Sequence, residues 1–593
     1  MQTYKAPLRD MRFVLHELID AGQLAKLPGF EEATPDMVDS VLEEGAKLCE
    51  EVLLPLNRSG DEHGCTYENG VVRTPPGFKE AYKTFVEGGW LAVSATPDHG
   101  GQGLPELLSF VFDEMVCATN LGFGVCPLLS KGAMALLETH GSEQLKKLYL
   151  PRLADGRWSG TMCLTEPHCG TDLGLIKTKA LPTDRGTYRV SGTKIFISAG
   201  EHDMSENIVH LVLAKLPNAP SGTRGISLFL VPKLMPKADG APGARNGVTC
   251  SGIEKKMGIH ASATCVLNFE DAEGWLVGEP HGGLRVMFTM MNAARLGVGL
   301  QGLGIGEIAY QSAVAYAKER RQGRALAGAT EPAQPADPII VHPDVRRMLL
   351  TQRALNEGAR ALGYLVALNI DLARRHPDAD KRLECDEFVQ LMTPIVKAFF
   401  TDCGSLAANL AVQIHGGHGY IREHGMEQLV RDSRIPQIYE GTNGIQALDL
   451  VGRKLGQNYG RLLRRFFHPA EAFVADNKDV AGMAEFIEPL AKGLERLRNA
   501  TLSLAGRAMA DPEEAGAAAT DYLKLFALVS VGYMWARMAK VALEKRGEAD
   551  AFYDTKLKTA RFYFSRLMPE TGSLFATVMG SKKSLMEMTA DEF

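Results

Sequence analysis

Apolar positions recur with a helical period along most of the chain and with a strand period along one central segment. From residue 36 to 158, and again after Gly283, apolar residues return every three or four positions, which predicts amphipathic helices. Between about residues 159 and 280 the period falls to two, which predicts strands. The pattern predicts an α+β fold, mostly α, in which an antiparallel β-domain lies between helical domains.

Changes of period place the domain boundaries. The predicted segments are an N-terminal extension over 1–35, an N-terminal helical domain over 36–158, a β-domain over 159–280, a C-terminal helical bundle over 281–458 and an additional helical domain over 459–593. Within the β-domain, Tyr188–Ser198 predicts a hairpin that turns at Ser191-Gly192. The Ala- and Pro-rich stretch Ala327–Pro338 predicts an exposed loop.

Individual helices follow from the same spacing. Helices are predicted over Gly77–Gly88, Glu106–Thr119, Ser130–Thr139, 394–414, 469–508, 514–546 and 551–567. The apolar stripe of the 394–414 helix predicts a buried face, and Gly416-Gly417 ends that helix.

Composition narrows the class of protein. The net charge of −6 gives no basic footprint for nucleic acid or for an anionic membrane. The 10 cysteines are scattered without a Cys-x-x-Cys pair, which argues against a disulfide framework and a structural zinc site and favours a reducing compartment. No stretch approaches about 18 uncharged apolar residues, so we expect no membrane-spanning helix. A cytoplasmic protein is the expectation.

A single carboxylate, Glu440, stands between Tyr439 and Gly441, soon after the glycine-dense run Gln413–Tyr420. Such a carboxylate can act as a general base on a carbon acid, and the glycine lets a carbonyl group approach the backbone. The alternative is a solvated glutamate in a turn before a helix. Three nearby histidines, His415, His418 and His424, lack the helical spacing of a metal hydrolase motif, so no metal is expected.

Two segments of the β-domain are candidates for contact with a flat polar ligand. Pro167 and Gly170 force the chain out of strand geometry after Thr165 and expose Thr171. The alternation in 194–200 places Phe196 and Ser198 on one face, which suits a wall beside a heterocycle or, equally, an ordinary core Phe with an exposed Ser.

Five segments together resemble the acyl-CoA dehydrogenase family in order and spacing. They are Thr161–Asp172 with Glu-Pro-x-x-Gly-Thr-Asp, Lys194–Gly200, Ala315–Arg320, Gln413–Tyr420 and Ile438–Asn443 with Tyr-Glu-Gly-Thr. The resemblance covers about residues 80 to 455. The long chain with a C-terminal helical extension is most similar to the branch that includes 3-methylmercaptopropionyl-CoA dehydrogenases.

The resemblance implies FAD as cofactor and assigns roles to matching positions. Glu440 matches the catalytic base. The implied cofactor contacts are Met162, Leu164, Thr165, Thr171, Phe196, Ser198, Arg320, Gln413, Gly416, Gly417, Thr442 and Asn443. The implied substrate contacts are Thr171, Asn292, Arg295 and Gly441. The family often has Trp and Thr where this chain has Phe196 and Ser198, and often Asp where it has Asn292.

The implied reaction is α,β-dehydrogenation of an acyl-CoA thioester, with electrons passed to an electron-transfer flavoprotein. A minority of the family carries the base immediately before the arginine that Arg295 matches, and here that residue is Ala294, which cannot take a proton. Two alternatives stay open: an acyl-CoA oxidase that uses O₂, and a catalytically idle binding relative. An arginine such as Arg320 typically reaches FAD from a partner subunit, which implies a homodimer.

Overall fold

A computed structural model describes residues 2–237, 239–547 and 550–593. The helices are α1 (Leu8–Arg12), α2 (Pro35–Leu48), α3 (Pro55–His63), α4 (Phe78–Glu87), α5 (Glu106–Thr119), α6 (Leu121–His140), α7 (Glu143–Ala154), α8 (Gly283–Glu319), α9 (Pro343–Arg375), α10 (Ala379–His415), α11 (Gly417–Tyr420), α12 (Met426–Asp432), α13 (Asn443–Asp449), α14 (Arg461–Asn477), α15 (Ala484–Ala510), α16 (Pro512–Glu544), α17 (Ala551–Phe562), α18 (Glu570–Met579) and α19 (Lys583–Met586). The strands are β1 (Thr66–Glu68), β2 (Val71–Arg73), β3 (Trp158–Cys163), β4 (Lys179–Pro182), β5 (Tyr188–Ser198), β6 (Asn207–Lys215), β7 (Ile226–Pro232), β8 (Leu234–Pro236), β9 (Pro242–Arg245), β10 (Val248–Ile253) and β11 (Thr264–Val277).

The chain forms two compact units. The β unit is Glu44–Gly297, and the helical unit combines Met1–Glu43 with Val298–Phe593. The helices α2 and α8 each have residues in both units. The observed order of helices, then strands, then helices confirms the predicted α+β fold class. The five predicted domain ranges stay predictions.

The β unit is built around a seven-stranded sheet. Its strand order is β10-β11-β5-β4-β6-β3, and β7 pairs with both β11 and β6. Neighbouring strands are antiparallel except that β3 and β4 run parallel to β6. Fully buried side chains such as Val190, Val212, Phe229 and Leu267 fill the core of this sheet. The small hairpin of β1 and β2 has no counterpart in the sequence prediction.

The predicted hairpin at Ser191-Gly192 is wrong, because β5 runs without interruption from Tyr188 to Ser198. Gly192 serves close strand packing instead of a turn. A Cβ atom at Gly192 would lie 2.4 Å from Oγ1 of Thr178, so only glycine allows this approach. Two small residues in the middle of a strand, Ser191 and Gly192, were therefore mistaken for a turn.

The helical unit contains the long helices α9 and α10, which pack against each other. The predicted stripe of α10 is buried at Ile395, Phe399, Cys403 and Ile414, whereas Leu406 is exposed. The helix ends at Gly416, whose positive φ of 59° favours glycine. This confirms the predicted helix end.

Some predicted helix bounds are wrong. The predicted 130–139 helix begins earlier, at Leu121, because Oδ1 of Asn120 accepts a hydrogen bond from the N–H of Phe123 and caps the helix there. The predicted 469–508 helix is two helices, α14 and α15, separated by a turn at Gly482 with φ of 81°.

Helices of the C-terminal extension pack against the bundle within the helical unit. Nε1 of Trp535 on α16 donates a hydrogen bond to the carbonyl of Ala354 on α9, at 2.9 Å. Gly358 lies directly beneath this contact, where an added Cβ would meet Val531 at 2.5 Å. The same α16 also packs against α13, the helix that follows Glu440.

In the part of the chain that the structure describes, three helices are long and apolar enough to cross a membrane by length and composition, contrary to the expectation from the sequence. They are Leu121–His140, Ala379–His415 and Pro512–Glu544. Between 67% and 78% of the most apolar window of each is buried inside the protein. Packing within the fold therefore accounts for much of their apolar character.

Candidate active site

Glu440 occupies a strained backbone conformation in the helical unit. Its φ is 60° and that of Gly441 is 84°, so two successive residues are left-handed. A left-handed residue other than glycine costs roughly 1–2 kcal/mol, and such strain persists only where the surroundings impose it. The side chain of Glu440 is half-buried. Asp20 of the same unit is also left-handed, with φ of 50°, but its side chain is exposed. The half-buried Glu440 is therefore the main candidate for chemistry in this unit.

The residues that follow hold the turn from one side. Oγ1 of Thr442 accepts a hydrogen bond from the N–H of Ile445 and caps α13. The buried Nε2 of Gln446 donates to the carbonyls of Glu440 and Gly441, at 3.1 and 3.2 Å. The start of α13 therefore fixes both peptide groups of the turn.

Helix α10 holds the turn from the other side. Nζ of Lys397, a side chain with 0% exposure, donates to the carbonyl of Gly441 at 2.8 Å and to Oδ1 of Asn443 at 2.9 Å. Nδ2 of Asn443 donates to Oγ1 of Thr401 at 3.0 Å and to Oδ1 of Asp402 at 2.8 Å. The carboxamide of Asn443 is thus engaged with α10, and its cofactor contact stays a prediction.

In the glycine-rich segment at the end of α10, the backbone of two glycines, Gly416 and Gly417, is accessible to a ligand. Gln413, Gly416 and Gly417 are exposed, and a Cβ atom added at either glycine would meet no atom of the described residues within 4 Å. Gly419, in contrast, is packed, since its Cβ would lie 2.5 Å from the carbonyl oxygen of Val412. Gly416 and Gly417 therefore present bare backbone of the kind that approaches a phosphate or ribose.

The histidines of this segment form an aromatic stack. His418 and His424 stack with ring centroids 4.8 Å apart, and Tyr316 stacks on His415 at 4.2 Å. Nδ1 of His415 donates to the carbonyl of Ala411 at 2.8 Å, and burial lowers the pKa of His415 to about 4. Packing and hydrogen bonds therefore account for these side chains.

Arg320 follows directly after the end of α8 and is exposed. The predicted loop after it is exposed over most of its length, but near its end lies Asp337, which is fully buried. Asp337 accepts hydrogen bonds from the N–H groups of Ala325, Thr330 and Glu331, and these hold the pKa of Asp337 well below its usual range. The segment following Arg320 is therefore a fixed structure.

In the β unit, the candidate residues Met162, Leu164 and Thr165 lie at the end of β3 and just beyond it, next to β5. The N–H of Ile195 on β5 donates to the carbonyl of Thr165 at 2.9 Å. Nζ of the buried Lys194 donates to the carbonyl of Leu164 at 2.9 Å. The structure thus joins these two candidate segments.

The Glu-Pro loop beyond Thr165 is fixed by the carboxylate of Glu166. It accepts hydrogen bonds from Nζ of Lys194 at 2.9 Å and from Oγ1 of Thr178 at 2.6 Å. Burial acts to raise the pKa of Glu166, but the charge of Lys194 and these hydrogen bonds outweigh it and keep that pKa low. Ligand atoms of Glu166, His168 and Cys169 also lie within 4.8 Å of one another, but the ammonium of Lys194 opposes a cation there. Thr171 lies farther along the loop and is exposed.

Phe196 lies at a β-bulge. Lys194 pairs with Leu267 and Ile197 pairs with Cys265, so two residues of β5 oppose one residue of β11. Phe196 has φ of 59° and is 59% exposed, whereas Ile197 is buried and Ser198 is half-buried. A large exposed aromatic in a strained conformation serves no core, which favours the ligand-wall interpretation.

The predicted substrate residues Asn292 and Arg295 lie one turn apart on α8. Arg295 is buried, and its Nη1 donates to Oδ1 of Asn292 at 3.5 Å. The guanidinium also lies over the ring of Phe288, at 5.9 Å. Ala294 is buried as well.

Four known domains match this chain almost end to end. The acyl-CoA dehydrogenase N-terminal, middle and C-terminal domains match residues 40–157, 161–272 and 281–455, and the domain described as acetyl-CoA dehydrogenase C-terminal like matches 466–589. The 3-methylmercaptopropionyl-CoA dehydrogenase of Ruegeria pomeroyi is 43% identical over 591 residues, which cover 98% of this chain and 99% of the relative.

The chain belongs to the acyl-CoA dehydrogenase family. Members of this family are flavoprotein oxidoreductases that act on CH–CH groups, and FAD is their cofactor. The chain is therefore an acyl-CoA dehydrogenase whose catalytic residues, substrate and electron acceptor have to be proposed from its own structure.

Solved structures support the fold along the whole chain. Caenorhabditis elegans ACDH-11 in complex with C11-CoA superposes with a TM-score of 0.79, covering 99% of this chain and 96% of that chain, and at 17% identity this likeness shows the fold alone. A chain of the structure reported as "Electron transferring flavoprotein of Acidaminococcus fermentans: Towards a mechanism of flavin-based electron bifurcation" matches with a TM-score of 0.58 and 27% identity, covering 71% and 98%. This acyl-CoA dehydrogenase is thus similar in structure to a chain from a study of an electron-transferring flavoprotein.

The residues of this acyl-CoA dehydrogenase suit FAD. In the β unit, the exposed ring of Phe196 suits an isoalloxazine. In the helical unit, the bare backbone at Gly416 and Gly417 and the exposed guanidinium of Arg320 suit a pyrophosphate. Guanidinium groups bind phosphates through parallel charge-assisted hydrogen bonds.

Sequence reasoning missed the residues that hold this acyl-CoA dehydrogenase's candidate groups in place. Lys397 and Gln446 fix the turn of Glu440, and Lys194 fixes the loop of Thr165. A signal was present for Lys397, since a lysine surrounded by Val396, Ala398 and Phe399 in a buried helix needs a polar partner.

Proposed function

We propose that Glu440 is the base that removes the α-proton of an acyl-CoA thioester. The observation that carries this assignment is the left-handed turn of Glu440 and Gly441, in which both carbonyls are held by Gln446 and Lys397. Backbone strain of this kind concentrates at functional sites, where it fixes a group in advance. The buried Ala294 offers no proton acceptor at the position where some relatives carry their base.

FAD, when bound, would supply the acceptor, flavin N5, for the hydride that leaves the β-carbon of the substrate. The residues proposed to hold it are Met162, Leu164, Thr165, Thr171, Phe196 and Ser198 of the β unit and Arg320, Gln413, Gly416, Gly417, Thr442 and Asn443 of the helical unit. Phe196 supports this assignment, because its exposure and strain have no role in the core.

Removal of the α-proton places negative charge on the thioester oxygen, which hydrogen-bond donors must receive. We propose that backbone N–H groups of the Glu440–Gly441 turn supply donors, since the turn is already fixed and needs no rearrangement. Thr171, Asn292 and Arg295 are proposed to bind the remainder of the substrate. Arg295 is already oriented by Asn292 and Phe288.

The decisive experiment is Glu440→Gln. The variant keeps the shape of the side chain but cannot accept the proton, so turnover should fall about 10³-fold or more while FAD and acyl-CoA still bind. Glu471→Gln on α14 is the matched control, because Glu471 is a partly exposed glutamate paired with Arg498. Near-normal turnover by Glu440→Gln would remove Glu440 from its role.

The proposed substrate is 3-methylthiopropionyl-CoA or a fatty acyl-CoA. The name of the Ruegeria pomeroyi relative supports the thioether substrate. Anaerobic bleaching of the flavin by a panel of acyl-CoAs of graded length, with and without the thioether, tests this choice. Preference for the thioether over the methylene analogue of equal length would establish it.

We propose an electron-transfer flavoprotein as the electron acceptor. Membership of the family supports this proposal, and so does the similar chain from the study of the Acidaminococcus fermentans electron transferring flavoprotein. Hydrogen peroxide formed stoichiometrically during turnover in air would instead establish an oxidase. A purified protein without bound flavin would favour the idle binding relative.

A homodimer is proposed because Arg320 is exposed after α8, at a position from which the family's arginine typically reaches the FAD of a partner subunit. Light scattering of the pure protein tests this state, and a tetramer would refute it. A cytoplasmic location is part of the same proposal, and cell fractionation tests it.

A further inference from the structure

Lys397 is a buried lysine close to the proposed base. Its side chain has 0% exposure, and it lies within α10 among the apolar residues Val396, Ala398 and Phe399. Lysine is among the residues that are least often fully buried, because the ammonium loses its hydration there. A buried lysine therefore needs strong acceptors, and Lys397 finds two of them in the segment that follows Glu440.

These acceptors belong to the backbone and to the first residue of α13. Nζ of Lys397 lies 2.8 Å from the carbonyl oxygen of Gly441 and 2.9 Å from Oδ1 of Asn443. The sequence separation is 44 residues to Gly441 and 46 to Asn443, so the ammonium ties the turn to a distant helix. Gln446 ties the same turn to α13 through the carbonyls of Glu440 and Gly441.

Fixing these carbonyls also fixes N–H groups of the turn. In a planar trans peptide the N–H points opposite to the carbonyl, and the described residues contain no cis peptide. When Gln446 holds the carbonyl of Glu440 and Lys397 holds that of Gly441, the N–H groups of Gly441 and Thr442 point away from these partners. Lys397 thereby sets the direction of backbone donors as well as the path of the chain at Glu440.

We infer that Lys397 is a positioning residue for proton abstraction: its ammonium holds the strained Glu440–Gly441 turn in the geometry that the reaction uses. This inference rests on the proposed role of Glu440 as base. The left-handed conformation of Glu440 is unfavourable for a residue with a side chain, so without Lys397 the turn relaxes and the carboxylate is displaced.

The test isolates proton abstraction from hydride transfer. In a 3-thia-acyl-CoA, sulfur replaces the β-carbon, so no β-hydride is available, and exchange of the α-hydrogens with D₂O reports the base alone. The holoenzyme is incubated with this thioester in D₂O, and deuterium at the α-carbon is followed by mass spectrometry. Steady-state kcat and KM with an oxidisable acyl-CoA are measured in parallel.

Three variants separate the effects. Lys397→Met should slow exchange and lower kcat by about 100-fold with little change in KM, because a small displacement of a reacting group is sufficient for such a loss. Lys397→Gln retains a donor without the charge, and Lys397→Arg retains the charge, so each should recover part of the rate. Lys556→Met is the matched control: Lys556 is another fully buried lysine of the helical unit, and it pairs with Asp10 and Glu357.

The control variant should lose thermal stability and keep wild-type exchange. If Lys397→Met loses stability to a similar extent but exchanges like Lys556→Met, Lys397 has only a structural role and the inference is wrong. If Glu440→Gln itself exchanges normally, the proposed function fails, whatever the Lys397 variants show. Loss of exchange in Glu440→Gln together with normal exchange in Lys397→Met overturns this inference alone.

Discussion

Lys194 and Glu166 form an ion pair that is almost completely enclosed by the β unit. Nζ lies 2.9 Å from Oε1, and the two side chains are 0% and 3% exposed. The pair connects β5 to the loop after β3, where Thr165 and Thr171 are proposed to contact the cofactor. Loss of this ion pair should therefore change the conformation of that loop as well as the stability of the β unit.

Lys194→Met should destabilise the β unit by roughly 3–5 kcal/mol, because it leaves the carboxylate of Glu166 buried without its cation. Urea-induced unfolding measures the loss. Arg185→Ala is the control, since the ion pair of Arg185 with Glu273 is 66% exposed at the arginine and should contribute less than about 1 kcal/mol. Equal losses in the two variants would contradict the proposed importance of the buried pair.

Phe196→Gly should separate stability from cofactor binding. Glycine adopts a φ of 59° readily, so relief of strain should leave the apoprotein as stable as before or more stable by about 1 kcal/mol. FAD retention should nevertheless fall, because the exposed aromatic wall is lost. Thermal unfolding of the apoprotein and fluorescence titration with FAD measure the two effects.

The comparison for Phe196 is Phe229→Ala, which truncates a fully buried core residue of the same sheet and should cost roughly 3–5 kcal/mol. If Phe196→Gly destabilises the apoprotein as much as this, Phe196 belongs to the core. Unchanged FAD affinity would refute its proposed contact.

Two buried histidines should make the β unit sensitive to acid. Burial lowers the pKa of His202 to about 4 and that of His210 to about 3. The unfolded chain binds these protons near pH 6.5, so stability is fully present above that pH and is lost as the pH falls toward the folded values. By pH 4 each histidine should cost roughly 3 kcal/mol.

Thermal unfolding between pH 4 and 7 measures this loss. His202→Asn and His210→Asn should each flatten the pH dependence, whatever they do to stability at pH 7. Nε2 of His210 is buried without a hydrogen-bond partner among the described residues. An unchanged slope in His210→Asn would show that other groups cause the acid sensitivity.

Asp10 should hold the N-terminal segment to the helical unit. Its carboxylate contacts Nη1 of Arg360 on α9 at 2.6 Å and the buried ammonium of Lys556 on α17. Asp10→Asn removes the shared anion between two buried cations and should cost roughly 3–5 kcal/mol. Hydrogen exchange should show faster opening of α17, and unchanged protection there would contradict this role.

The parts of the fold that could be predicted are those that depend on the pattern of apolar residues over short stretches of sequence. The change from a period of 3.6 to a period of 2 near residue 159 is written in neighbouring residues, and so is the end of α10 at Gly416. The path of β5 through Gly192 depends instead on Thr178 of another segment, which no local pattern reveals.

In the candidate site, too, some features could be predicted from the local sequence and others depend on distant contacts. Glu440 could be assigned from its motif and the resemblance, but its left-handed conformation and its ties to Lys397 depend on contacts more than 40 residues away. The bulge at Phe196 arises from the register between β5 and β11, which alternation alone cannot specify. Sequence therefore identified the proposed reacting groups better than the residues that hold them.

The helical unit combines the first 43 residues with everything after residue 297, while Glu44–Gly297 forms the other unit. During synthesis on the ribosome, the β unit can complete its core before the second half of the chain exists. Asp10 must wait for Arg360 and then for Lys556, which are translated much later. A chain that stops before α17 would keep Arg360 but lack Lys556, so Asp10 would have one of its two buried cations and we expect its segment to be held less firmly.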